Sequence, residues 1–203
     1  MKILCVGRNY SEHIKELQNE VPENPVIFIK PDNAVLRPGY DFYYPDFSKD
    51  IHYELELIVK INNTGKHILP QFAHKYYDEI ALGIDFTARD LQNDLKKKGL
   101  PWELAKGFDM SAAIGDFVNK DKFDDLQKIE FTLYKNGEKK QQGNTADMIY
   151  KIDELIAFMS KYFMLKKGDI IFTGTPAGVG PVQVGDKLEG YIFDQKNLEV
   201  LIK

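Results

Sequence analysis

Cysteine is nearly absent from this chain, with Cys5 alone among 203 residues. One thiol can form neither an intrachain disulfide nor a thiolate metal site, and a reducing, cytoplasmic compartment is expected. The four histidines show no paired spacing of the kind that holds zinc. Uninterrupted apolar runs are short: none approaches the ~18 residues of a membrane span. The start Met1-Lys2-Ile3-Leu4-Cys5-Val6-Gly7-Arg8 is too briefly apolar for a signal peptide, and it lacks the Arg-rich character of an organellar presequence. No sign of charge dominates either. The formal net charge of −4 arises from interspersed acids and bases, so neither nucleic acid nor an anionic membrane is an expected partner. With no linker, repeat or low-complexity stretch, residues 1–203 are read as one domain.

What the chain does contain is an ordinary globular balance, 43% hydrophobic and 29% charged residues, enough for a sizeable core. Strand-like segments run from Lys2 to Val6, Val26 to Lys30, Ile129 to Tyr134, Asp169 to Phe172 and Lys187 to Phe193. Asn136-Gly137 predicts a type I′ hairpin, because both central positions of that turn need φ > 0. Ile152, Leu155, Ile156, Met159 and Phe163 recur at helical spacing and predict a one-faced helix packed on the sheet. The expected fold is a strand-dominated α+β domain.

Two of the candidate functional acids lie in His52-Tyr53-Glu54-Leu55-Glu56-Leu57-Ile58-Val59-Lys60-Ile61, whose alternation predicts a half-buried strand. Glu54 and Glu56 share one face, with Cα atoms about 7 Å apart at the rise of a strand, and Tyr53, Leu55, Leu57, Val59 and Ile61 face the core. An isolated Glu-x-Glu is ordinarily a solvated acidic face. A third acid, Asp85, shifts the weight. It ends the apolar run Glu79–Asp85, and Thr87-Ala88-Arg89-Asp90 has the spacing of a capping box opening a helix that closes at Lys96, Lys97, Lys98 and Gly99. Asp85 thus stands at a strand-to-helix junction, where it is either a cap or a functional side chain. Three oxygen donors without sulfur suit a hard cation such as Mg²⁺ or Mn²⁺ and leave positions open for substrate. His52, on the face of the glutamates, is a candidate further ligand or hydrogen-bond partner.

Other segments are open to two readings. Asn9 to Leu17 predicts a short helix with His13 and Glu16 at i and i+3, which is either a surface pair or an imidazole oriented by a carboxylate for general-base work. Lys106 lies among small residues in an aromatic-rich stretch, where an ammonium can enter a pocket. Thr173-Gly174-Thr175-Pro176-Ala177-Gly178-Val179-Gly180-Pro181 can present backbone N–H groups to an anion, and it lacks the Walker lysine.

Gly7-Arg8-Asn9-Tyr10 with His13 and Glu16, His52-Tyr53-Glu54-Leu55-Glu56-Leu57, Asp85-Phe86-Thr87-Ala88-Arg89-Asp90-Leu91-Gln92, Lys98-Gly99-Leu100-Pro101-Trp102, Ala105-Lys106-Gly107-Phe108-Asp109 and Gly168-Asp169-Ile170-Ile171-Phe172-Thr173-Gly174-Thr175-Pro176 occur in this order. Together they resemble the fumarylacetoacetate hydrolase family, in its short single-domain acylpyruvate hydrolase and oxaloacetate decarboxylase branch. The resemblance implies a mixed β-roll with a few peripheral helices, a homodimer, and Mg²⁺ held by Glu54, Glu56 and Asp85. It also implies a lid over residues 9–17 that carries a His13–Glu16 dyad, Lys106 as a catalytic group, and Arg89, Gln92 and Thr175 around the substrate. The implied reaction is Mg²⁺-dependent C–C hydrolysis of acylpyruvates, small 2-oxo acids. Oxaloacetate decarboxylation, isomerisation of longer dicarboxylates and a non-catalytic acid-binding role are the alternatives. The separate N-terminal domain of fumarylacetoacetase is expected to be missing, so that enzyme's own substrate is not the first expectation.

Overall fold

The computed structural model describes residues 1–16 and 22–203. In chain order its elements are β1 (Ile3–Gly7), α1 (Ser11–Glu16), β2 (Val26–Lys30), β3 (Val35–Leu36), β4 (Ile51–Tyr53), β5 (Leu55–Ile61), α2 (Pro70–Ala73), β6 (Tyr77–Asp85), β7 (Thr87–Ala88) and α3 (Arg89–Lys97). There follow α4 (Glu103–Lys106), β8 (Ala112–Ile114), β9 (Val118–Asn119), β10 (Glu130–Lys135), β11 (Glu138–Asn144), α5 (Ile152–Tyr162), β12 (Ile170–Phe172), β13 (Gly180–Pro181), β14 (Lys187–Ile192) and β15 (Gln195–Leu201). The predicted helix at Asn9 to Leu17 is observed over Ser11–Glu16, and Leu17 lies outside the described residues.

The largest sheet has the order β2-β1-β12-β5-β6-β8-β3, with β9 also on β6, and it mixes parallel pairs (β1 with β12, β3 with β8) with antiparallel ones. β2 and β8 stand five places apart in this order, which is about 24 Å in a flat sheet at ~4.8 Å per strand. Lys30 at the end of β2 nevertheless donates to the carbonyl of Ser111, 3.0 Å away and one residue before β8. A lysine side chain cannot span a flat sheet of that width, so the sheet curls on itself into the expected β-roll. Inside the curl lie Ile3, Cys5, Ile58, Ala81 and Phe172. The main core fills the other face, where Leu55, Leu57, Val59 and Ile61 meet α5 and the four-stranded sheet β11-β10-β14-β15. Asn197 stitches the two sheets: it accepts from the Leu82 N–H at 2.6 Å and donates to Asp116 O at 2.7 Å.

The alternation from His52 to Ile61 predicted one buried face, and the structure buries both. Leu55–Ile61 is covered throughout except at Lys60, because the curl places Glu56 and Ile58 inside the roll. The strand is also divided. Ile51–Tyr53 pairs with β7 and β13, whereas Leu55–Ile61 pairs with β12 and β6, and Glu54 is the joint between them. The capping box at Thr87 does not form. Ala88 occupies the N-cap of α3 without a side-chain bond, and the Thr87 hydroxyl turns inward to Asp85 O and Lys106 instead. The Asn136-Gly137 turn is as expected, with φ of 54° and 80°. α5 buries Ile152, Leu155, Ile156 and Met159, and the Glu154 carboxylate accepts the Lys151 N–H at 2.8 Å to satisfy its first turn.

Candidate active site

Strand direction explains why the candidate residues meet. β1 and β12 run parallel as neighbours, so the segments that follow them, Arg8–Asn9 and Thr173–Thr175, leave the sheet at the same end. β5 is antiparallel to β12 and begins at that end, and β6, antiparallel to β5, finishes there. The start of β5 therefore brings Glu54 and Glu56, and the end of β6 brings Asp85.

One ligand atom from each of these three acids lies within 4.8 Å of the others, and all three residues are buried. Lys106 Nζ donates to Glu54 Oε2 at 2.8 Å, Asp85 Oδ2 at 2.7 Å and Thr87 Oγ1 at 2.6 Å. Arg89 donates to Glu54 Oε1 at 2.5 Å and to Gln92 Oε1 at 2.6 Å. Burial works against the Glu54 charge, but Lys106 and then Arg89 outweigh it and hold the carboxyl well below its ordinary range. Burial likewise opposes the Lys106 ammonium, which Asp85 and Glu54 stabilise, so its pKa is raised. Glu56 is different. Its hydrogen bond comes from the Gly174 N–H at 2.6 Å, and burial followed by repulsion from Asp85 pushes its pKa well above the ordinary value. A divalent cation among the three carboxylates would supply the positive charge that Glu56 lacks, and hard oxygen donors suit Mg²⁺ or Mn²⁺. The residues present fit such an ion.

His13 Nδ1 lies 3.0 Å from Glu16 Oε2. An ionised carboxylate only accepts, so Nδ1 carries the proton and Nε2 is the basic nitrogen. The histidine is buried and lines the pocket that also contains Glu54, Glu56, Arg89, Gln92, Lys106 and Thr175. The dyad thus joins a buried imidazole to a carboxylate at the surface. Asn9 anchors its helix: fully buried, it donates to Thr173 O at 2.7 Å and to Tyr150 O at 3.0 Å, and it accepts the Tyr150 N–H.

The glycine-rich turn does present N–H groups to anions, and those anions are the protein's own. Gly174 serves Glu56, and Gly178 donates to Glu16 Oε1 at 3.0 Å. Both glycines have φ near +100°. A Cβ on Gly174 would come within 2.7 Å of the Asn9 Cβ, so only glycine allows the close approach. Thr175 lines the pocket while its hydroxyl donates to Leu55 O at 2.8 Å and accepts from Gln141 at 2.9 Å.

His52 does not join the acids. Its Nε2 lies 2.9 Å from Asp50 Oδ1, outside the carboxylate cluster, and burial followed by Arg89 lowers its pKa. Sequence reasoning missed Lys30. Fully buried, its ammonium donates to Phe86 O, Lys106 O, Ser111 O and Ser111 Oγ. It also sits 2.7 Å from Asp85 Oδ1, at an angle that makes an ion pair and no hydrogen bond. A lysine closing a strand ordinarily reaches water, so nothing local marked it.

A curled mixed sheet thus carries a cluster of three buried carboxylates, two of which line one pocket with an ammonium and a carboxylate-held imidazole, the arrangement of an enzyme active site. The pattern described as "Fumarylacetoacetate (FAA) hydrolase C-terminal" matches residues 2–201. The chain belongs to that family. It is 46% identical over 188 residues to the oxaloacetate tautomerase YcgM of Escherichia coli, covering 92% of this chain and 86% of that protein. It is 43% identical over 190 residues to the human mitochondrial oxaloacetate tautomerase FAHD1, covering 94% and 86%. A crystal structure of fumarylpyruvate hydrolase from Pseudomonas aeruginosa with Mn²⁺ and pyruvate is 34% identical, with a TM-score of 0.94 over 100% of this chain and 89% of that one.

Proposed function

We propose that this protein is a divalent-metal-dependent enzyme of 2-oxo acid enols, with keto–enol interconversion of oxaloacetate as its leading reaction. The observation that supports it best is His13, whose Nδ1 is held by Glu16 at 3.0 Å in the pocket that Glu54 and Glu56 also line. A carboxylate on one ring nitrogen orients the imidazole and leaves the other nitrogen free to exchange a proton, which suits proton transfer at a carbon beside a carbonyl. Glu54, Glu56 and Asp85 would hold Mg²⁺ or Mn²⁺, which when bound polarises a 2-oxo acid as a Lewis acid. His13 takes a proton from C3 of the keto form and hands it to the 2-oxo oxygen to complete the enol, and the reverse transfers regenerate the keto form. Lys106 holds the negative charge that develops on the 2-oxo oxygen. Arg89 keeps Glu54 ionised and sets the Gln92 amide, and Thr175 borders the bound acid. The pocket has a free volume of about 30 Å³, enough for little more than water. In this reading α1 is a lid that opens to admit substrate.

Hydrolysis of acylpyruvates is the second reading, favoured by the likeness to the fumarylpyruvate hydrolase. There His13 would take a proton from water as the water attacks the distal carbonyl. The C–C bond then breaks toward C3, releasing a carboxylic acid and the pyruvate enolate. Loss of CO₂ from oxaloacetate leaves the same enolate.

The test follows enol-oxaloacetate, acetylpyruvate and pyruvate with Mg²⁺-loaded protein. Acceleration of oxaloacetate interconversion that EDTA abolishes, and that His13→Ala lowers by roughly 10²- to 10⁴-fold, is the expected result. Full activity in His13→Ala would remove the dyad's role. Cleavage of acetylpyruvate without any effect on oxaloacetate interconversion would put the hydrolase reading first.

A further inference from the structure

The pocket carries more positive charge than its acids neutralise. Arg8, Arg89, Lys96 and Lys106 all line it. Arg89 and Lys106 are engaged with Glu54 and Asp85. Arg8 and Lys96 have no carboxylate partner among the described residues. The Arg8 Nε is buried without a hydrogen-bond partner, and its backbone is left-handed at φ 62°, a conformation costing a non-glycine residue on the order of 1 kcal/mol or more. Lys96 differs from the two lysines after it. Lys97 and Lys98 are exposed, as the end of a solvated helix should be, whereas Lys96 turns inward and lies 5.3 Å from the centre of the Trp102 ring. Burial, then Arg89, lower its pKa to about 8 against the opposing pull of Glu54, with Arg8 and Lys106 adding to the shift. An anion in this pocket would meet two cations that its own acids leave without an ion pair.

The groups fit a carboxylate in particular. A guanidinium offers a planar fork of donors matched to two carboxylate oxygens, and a neighbouring ammonium adds a point charge. The two residues come from different parts of the chain, Arg8 from the segment after β1 and Lys96 from the last turn of α3. The tie of Lys96 to Trp102 holds it at the pocket wall.

We propose that Arg8 and Lys96 form a subsite for the second carboxylate of the substrate, so that the enzyme selects dicarboxylic 2-oxo acids over monocarboxylic ones of the same length. This rests on the reading of the pocket as a 2-oxo acid site. It identifies the residues that separate an oxaloacetate-like acid from 2-oxobutyrate, in which a methyl group replaces that carboxylate.

The experiment measures, by calorimetry on the Mg²⁺-loaded protein, the binding of malate and of 2-hydroxybutyrate, unreactive acids that differ only in this group. It is run on the natural chain and on Arg8→Met, Lys96→Met and Lys96→Arg, with melting temperatures recorded to confirm folding. The natural chain should favour malate, and each methionine variant should weaken malate roughly 10- to 100-fold, closing the gap to 2-hydroxybutyrate. Lys96→Arg, which keeps the charge, should retain most of the preference. Should Arg8→Met fail to fold, the two Lys96 variants decide the matter alone, since that side chain is only half-buried. Malate bound equally by the natural chain and Lys96→Met, or both acids weakened alike, overturns the subsite and leaves the 2-oxo acid reading standing. Failure of the natural chain to bind either acid overturns that reading, and the subsite with it.

Discussion

Glu54 and Glu56 are two residues apart and buried to a similar degree, yet their surroundings push their charges in opposite directions. Lys106 and Arg89 hold Glu54 ionised, while Glu56 faces Asp85 with a single backbone N–H in support. The linkage follows from the sign. A carboxyl whose folded pKa is raised above its ordinary 4.5 contributes stability that is complete below that value and is lost as the pH rises through the raised one. Metal-free protein should therefore lose melting temperature relative to Glu56→Gln between about pH 5 and about pH 8. Mg²⁺ should raise the melting temperature of the natural chain and have little effect on the variant. Thermal unfolding at both pH values, with and without Mg²⁺, checks this; an equal response of the two proteins to the metal would show that Glu56 is not a ligand.

At the scale of the element, the turn after β12 is what joins the acid cluster to the dyad, since Gly174 holds Glu56 and Gly178 holds Glu16. A Cβ at Gly178 would lie 2.3 Å from the Lys140 carbonyl oxygen at φ +97°, so Gly178→Ala must displace the turn. The expected cost is more than about 1 kcal/mol, with a fall in kcat because Glu16 loses its N–H. Gly185→Ala is the control, since φ there is +95° with nothing within 4 Å of the new Cβ. It should show the backbone cost with an unchanged kcat. Urea unfolding and steady-state kinetics on both variants separate strain from function. Elements also set the limit of what is legible locally. The Asn136-Gly137 hairpin announced itself. The hairpin joining β14 to β15 did not, because its turn places Phe193, a residue with no preference for it, at φ 52°. β15 was therefore not anticipated, since alternation within it is confined to Leu198-Glu199-Val200.

At the scale of the whole molecule, Lys30 fastens the curl. Its ammonium reaches acceptors 56, 76 and 81 residues away in the chain and pairs with Asp85, so β2, the end of β6, α4 and the start of β8 are tied at one point. Lys30→Met would leave Asp85 short of a cation and three carbonyls without this donor. Breaking a buried pair of this kind costs about 3–5 kcal/mol. Urea unfolding should show a loss of that size, and a loss under about 1 kcal/mol would mean that packing alone holds the roll closed.

The sequence by itself determined the strands whose alternation survives, the one-faced helix α5, the Asn136-Gly137 turn, and the acids Glu54, Glu56 and Asp85 as a group worth weighing. Apart from the link of Asp85 to the two glutamates, each of these depends on spacing within about ten residues, where the periods of strand and helix operate. Only the tertiary structure decided that both faces of β5 are covered, that Thr87 serves Lys106 and caps no helix, that His52 turns to Asp50, that Lys30 is buried, and that Arg8 and Lys96 line the pocket. Those outcomes depend on which charges meet after the sheet curls. A buried lysine and a surface lysine look alike until the partner from a distant strand arrives, and desolvation, which sets what each charge costs, is a property of the closed fold.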